Sequence, residues 1–175
     1  IFEKNNVIFE TIVSDVDESY SSTYSKEQIA MIIALRKALD IEMKYKEGIV
    51  IAADTIVCID EILGKPTDRE HAYYMLKKLS GRSHEVITGV AVIRINSFER
   101  VVFYDSTKVF FKELTDDEIY SYISSGEGWD KAGAYAVQGM GSELIDKLDG
   151  DYYNVMGLPF DKLKLVLKGR FNVEL

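Results

Sequence analysis

Apolar and polar positions follow two rhythms along the chain, one of strands and one of helices. Gly48 to Asp60 carries nine apolar residues, mostly β-branched, and reads as a strand buried on both faces. Val7 to Val13 alternates weakly and reads as a further strand. Lys26 to Lys46 has helical spacing, with Ile29, Ile32, Ile33, Leu39 and Met43 on its apolar face. Thr67-Asp68-Arg69-Glu70 has the form of a capping box and predicts a helix from about Asp68, with Ala72, Met75, Leu76 and Leu79 inward and Gly81 at its end. His84 to Ile95 and Arg100 to Phe111 predict a long hairpin turning at Asn96–Glu99. Thr115 to Glu118 is a second capping box, opening a helix to about Ser124. Leu144 to Leu148 is a short apolar element, and Pro159 suits the start of a last helix reaching about Lys168. Periodicity alone therefore says α/β.

Composition narrows the classes. The 175 residues suffice for one domain, residues 1–175, and no repeat or linker divides them. No apolar run approaches the ~20 residues of a membrane span, so no membrane partner is expected. The formal charge of −8 argues against sequence-independent nucleic-acid binding, which rests on many cation–phosphate contacts. It leaves room for a small phosphorylated ligand met by a few placed cations. The single cysteine, Cys58, suits the reducing cytoplasm. No signal peptide is visible, and the chain begins at Ile1.

Candidate chemistry is concentrated in a few places. Asp54 interrupts an otherwise apolar strand, where an ionised carboxylate needs a cation, a metal or hydrogen bonds. It reads as a pocket residue, or else as a structural acid bonded to backbone amides. Ser14-Asp15-Val16-Asp17-Glu18-Ser19 could hold a hard cation, although an acidic loop is by default merely solvated. Lys37 shares a polar stripe with Arg36, Asp40 and Lys44. Lys65, between Gly64 and Pro66, is a phosphate ligand or an exposed loop lysine; this is no Walker A loop. Arg82 is a phosphate ligand or a cation at a helix C-terminus. Lys131 to Gly141 holds three glycines around Gln138, a close-approach loop for a ligand or a simple turn. His84 and His71 have no third partner by spacing, which argues against a histidine zinc site.

Five stretches in order resemble the Maf family: Ala53-Asp54-Thr55, Leu63-Gly64-Lys65-Pro66, Leu79-Ser80-Gly81-Arg82-Ser83-His84, Lys131 through Gly139, and Tyr153-Asn154-Val155-Met156-Gly157-Leu158-Pro159. The resemblance implies a single α/β domain with an elongated mixed β-sheet flanked by helices and a deep cleft (Maf/ITPase-like). It implies cleavage of the α–β anhydride of a nucleoside triphosphate to the monophosphate and pyrophosphate, with a divalent metal cation, Mg²⁺ or Mn²⁺. Asp54 matches the family's catalytic carboxylate, and Glu18 the acid of its Asp-Glu motif. Asp54 and Glu18 are the implied metal ligands. Lys65 is the implied catalytic cation, and Lys37, Arg82 and Gln138 also fall on motif positions. Thr55 and Gln138 look like the dTTP/UTP branch, in which a glutamine amide can complement N3–H and O4 of thymine or uracil.

The resemblance also allows a homodimer, a role in clearing modified pyrimidine nucleotides, and, as an alternative, a nucleotide-binding regulator of septum formation in cell division with no required turnover. One departure stands out. Family members begin with a strand and a Ser-x-Ser-Pro-Arg-Arg loop that supplies arginine and hydroxyls to the triphosphate. This chain shows no such stretch and starts at Ile1-Phe2-Glu3-Lys4, just after it.

Overall fold

The computed structural model describes residues 1–175. In chain order the elements are α1 (Lys26–Glu42), β1 (Ile49–Cys58), β2 (Ile62–Leu63), α2 (Arg69–Leu79), β3 (Ser83–Arg94), β4 (Arg100–Phe111), α3 (Asp116–Ser125), β5 (Ile145–Asp149), α4 (Tyr152–Val155) and α5 (Phe160–Phe171). The strands form one five-stranded sheet in the order β2-β1-β3-β4-β5. It is α/β, as its residue rhythm predicts, but antiparallel rather than mixed. β1 pairs with β2 and β4 with β5 in antiparallel register. Ile95 N–H, after β3, donates to Gly48 O, before β1, so those two strands also run oppositely. β3 and β4 are joined by a turn closed by Arg94 N–H donating to Glu99 O, 3.0 Å. A five-residue turn cannot carry the crossover that a parallel pair would need.

The chain divides into two compact units, Ile1–Asp54 with Thr88–Asp105 and Gly157–Leu175, and Thr55–Ile87 with Ser106–Met156. In the first unit α1 starts at Ser25, whose side chain and that of Gln28 cap each other's backbone amides. The buried face of this helix is Ile29, Ala30, Ile33, Ala34, Ala38 and Ile41. Met43 lies past the helix end and is 81% exposed, and the buried face is less bulky than expected. The reason is closeness: a Cβ on Gly89 of β3 would lie 2.3 Å from the Ala30 carbonyl carbon. Only small side chains let a helix sit that near a strand. Ala34 and Ala38 close the same contact against Ala91 and Ile93. α5 buries Phe160, Leu163, Leu167 and Phe171 and runs past Lys168 to Phe171.

Residues 7–13 form no strand. Their weak alternation meets no pairing edge, and Ile8 and Val13 are exposed at 101% and 86%. A cavity of about 550 Å³ lies in this unit, bounded by Val7, Phe9, Ile49–Ala53 and the stem of Lys37.

The second unit packs Met75, Leu76, Leu79, Val86, Phe111 and Ile119 into its core. α3 has the predicted Thr115–Glu118 capping box. α2 lacks the predicted Thr67–Glu70 box. Asp68 is the N-cap and accepts from His71 N–H, while Thr67 bonds outside the helix to Asp68 and the His71 ring.

Candidate functional site

Asp54 lies in β1 with a side chain only 11% exposed. A carboxylate so placed needs compensation, and α1 supplies it. Lys37 Nζ donates to Asp54 Oδ1 at 2.7 Å. The same ammonium lies 2.7 Å from Glu18 Oε1. Burial alone would pull the Lys37 ammonium down; hydrogen bonds to Asp54 and then Glu18 more than reverse this, so it is held above the usual lysine range. The polar-stripe lysine is therefore not a solvent-facing residue but the hub of two carboxylates. The acidic loop contributes one of its three acids, Glu18, to this centre, and its side chain remains 55% exposed. Lys37 lines the cavity, whereas the Asp54 and Glu18 side chains are not part of its wall.

The remaining sequence candidates belong to the second unit. Thr55 follows Asp54 in β1 and is half-buried. Arg82 is exposed and grips Asp60 with two nitrogens, 3.1 and 3.0 Å from its two oxygens. That pairing, more than any other contact, holds the Asp60 carboxyl below its ordinary range. Lys65 is exposed, and its charge helps, after Lys131, to lower Asp130. Gln138 is exposed at the head of a 3-10 turn spanning Gly139–Leu144. The Lys65 and Gln138 loops are tied together where Gly133 N–H donates to Gly64 O, 3.0 Å. Gly133 has φ +70°, and a Cβ there would meet Val57 at 3.0 Å. Gly139 has φ +59° and would meet the Glu127 carboxylate at 2.6 Å. Both glycines are required by the chain's close approach to itself.

Comparisons with known proteins identify the family. The Maf-like protein family model matches residues 1–170. A dTTP/UTP pyrophosphatase of Thermoanaerobacter sp. (strain X514) is 49% identical over 169 residues, 95% of this chain and 88% of that protein. One from Caldanaerobacter subterraneus subsp. tengcongensis is 49% identical over 99% of this chain and 84% of its own. One from Clostridioides difficile is 40% identical over 100% and 91%. The chain belongs to the Maf-like family.

In this Maf-like chain the donor set can be weighed against the divalent cation that the family resemblance implies. Glu18 Oε1 and Asp54 Oδ1 both meet the ammonium of Lys37, so a divalent cation would share these two carboxylates with it. No group of three or more histidine, cysteine or acidic side chains forms a ready-made cage. Two carboxylates with the remaining positions left to water and phosphate oxygens is how Mg²⁺ is commonly held. The residues fit a cation that arrives with a triphosphate, and fit a permanent structural metal poorly.

Sequence reasoning missed Arg36. Its Nη1 donates to the carbonyls of Asp17 and Ser19, at 3.0 and 2.5 Å. The available signal was its place beside Lys37, nearly a third of a turn around the same helix. Nothing in the pattern showed that an irregular loop folds back over that face.

Proposed function

We propose that this chain hydrolyses the α–β anhydride of a pyrimidine nucleoside triphosphate, dTTP or UTP, releasing the monophosphate and pyrophosphate. The observation that carries the reading is the Glu18–Lys37–Asp54 centre, whose Lys37 also lines a cavity, in a chain whose relatives are named dTTP/UTP pyrophosphatases.

Asp54 is the proton acceptor in this reading. Its carboxylate orients the attacking water and takes its proton as the phosphorus–oxygen bond forms. Lys37 keeps that carboxylate ionised and placed, and its positive charge faces the phosphates. Asp54 and Glu18 would hold Mg²⁺ or Mn²⁺, which when bound neutralises phosphate charge. Lys65 and Arg82 keep the roles the family resemblance assigns, meeting charge on the leaving pyrophosphate. For Arg82 this means giving up Asp60 for phosphate. Gln138 and Thr55 carry the choice of base. A site that hydrogen-bonds a base edge rejects a mismatched one by up to about 10⁴-fold.

The reading treats residues 1–175 as one functional domain, acting in the cytoplasm as a homodimer, with modified pyrimidine triphosphates as further substrates. No helix is long and apolar enough to cross a membrane. The deciding experiment measures pyrophosphate release from dTTP, UTP, 5-methyl-UTP and 7-methyl-GTP, with Mg²⁺, with Mn²⁺ and with chelator. Turnover of the pyrimidine nucleotides, lost with chelator and weak with 7-methyl-GTP, supports it. Absence of release from every nucleotide refutes it.

A further inference from the structure

We propose that Arg36 is the positioning residue of this centre: it carries Glu18 to Lys37 by gripping the main chain on either side of it. The inference rests on the reading of Glu18, Lys37 and Asp54 as the reaction site.

Residues 7–21 have no helix or strand to hold them. Glu18 nevertheless reaches the ammonium of Lys37 at 2.7 Å. An ion pair with a half-exposed carboxylate is too weak to order such a loop by itself, since it must also offset the entropy of two long side chains. The order has another source. One nitrogen of Arg36 donates to Asp17 O and to Ser19 O, the carbonyls flanking Glu18. Asp17 tightens the same turn by accepting from the amide and hydroxyl of Ser19, 2.8 and 2.6 Å. The peptide is thereby wrapped around a guanidinium, and the side chain between the two held carbonyls projects toward the next residue of α1. Arg36 takes the loop's backbone, and Lys37 takes its side chain. Arg36 Nη1 donates to main-chain carbonyls and not to the Asp54 or Glu18 carboxylates, so it acts on the centre by placing Glu18.

The test is a double-mutant cycle with Arg36→Met, which keeps an apolar stem, and Glu18→Gln. Arg36→Met should lower kcat/KM for dTTP by about 10- to 100-fold, the scale of a misplaced site group. In the Glu18→Gln background the same change should alter kcat/KM by less than about twofold, because there is no longer a carboxylate to place. Arg36→Lys, whose ammonium can also donate to two carbonyls, should recover part of the loss. A residue that only stabilised the fold would reduce activity equally in both backgrounds, and that result overturns the proposal. A second readout needs no turnover. The backbone amide order parameters of Glu18 and Ser19 should fall below about 0.6 in Arg36→Met and stay high in the wild type. Unchanged order parameters refute the role of Arg36. Absent wild-type turnover with the expected loss of order refutes only the hydrolase reading.

Discussion

Lys37 Nζ stands 2.7 Å from Asp54 Oδ1, joining helix α1 to the middle of the long, largely apolar strand β1. The pair explains how a carboxylate persists among isoleucines and valines. It also makes Lys37 as necessary as the acid it serves.

Replacing Lys37 by Met leaves Asp54 charged and largely buried with its ammonium gone. Breaking a buried pair on one side costs about 3 kcal/mol or more. The solvent still reaching Lys37, at 21% exposure, brings the expectation toward the low end. Urea denaturation should show a lower midpoint at unchanged slope, and dTTP turnover should fall by about 10²-fold or more.

Asp54→Asn preserves volume and removes the proton acceptor. Steady-state kinetics should show kcat reduced by at least about 10²-fold with KM little changed. Near wild-type turnover in this variant would show that Asp54 is not the base.

Arg82→Gln separates a surface ion pair from a substrate contact. Arg82 and Asp60 are both exposed, at 47% and 59%, and such pairs contribute little to folding. The melting temperature should hold while KM for dTTP rises. A lowered melting temperature with unchanged KM would confine Arg82 to a structural part.

Gly89→Ala tests the packing of α1. The added Cβ would fall within 2.5 Å of the Ala30 carbonyl oxygen and the Met31 nitrogen, which are backbone atoms that no rotamer change can move. Overpacking costs about 1–3 kcal/mol, and here the upper end is expected. Calorimetry on this variant should give a clearly lower melting temperature.

His84 predicts an acid limit to stability. Its ring is buried, with Nε2 2.7 Å from the Tyr135 hydroxyl and no partner for Nδ1. Burial pushes its pKa down from 6.5 to about 4. The folded protein therefore keeps the ring neutral where the unfolded chain would protonate it. The contribution is fully present above pH 6.5 and is lost as pH falls toward 4. At about 1.4 kcal/mol per pH unit across that window, roughly 3 kcal/mol is at stake. His84→Phe should flatten the pH dependence of the urea midpoint between these limits.

Much of this was legible in the residue order. Apolar runs and capping residues placed α2, α3, β1, β3 and β4 within a residue or two, because those signals are local. The Val7–Val13 strand was not, because alternation is only half of what a strand requires and the pairing edge is nonlocal. Met43 was misread as core for a related reason. The pattern shows an apolar side chain but not where α1 stops, and it stops at Glu42. Asp54 stood out because charge in an apolar run is costly. Lys37 and Arg36 did not, because a basic residue on a helix looks the same whether it meets water or a carboxylate.

The sequence by itself determined the α/β class, the Thr115–Glu118 cap of α3 and an acid that demanded a partner. These follow from periods of two and 3.6 residues and from the cost of burying charge, which act along the chain. Tertiary structure alone decided who that partner is, that the glycines at 133 and 139 lie against Val57 and Glu127, and that the loop at 17–19 closes over Arg36. Those contacts join residues 12 to 76 apart in the chain, and which segments meet is set by how the whole chain folds.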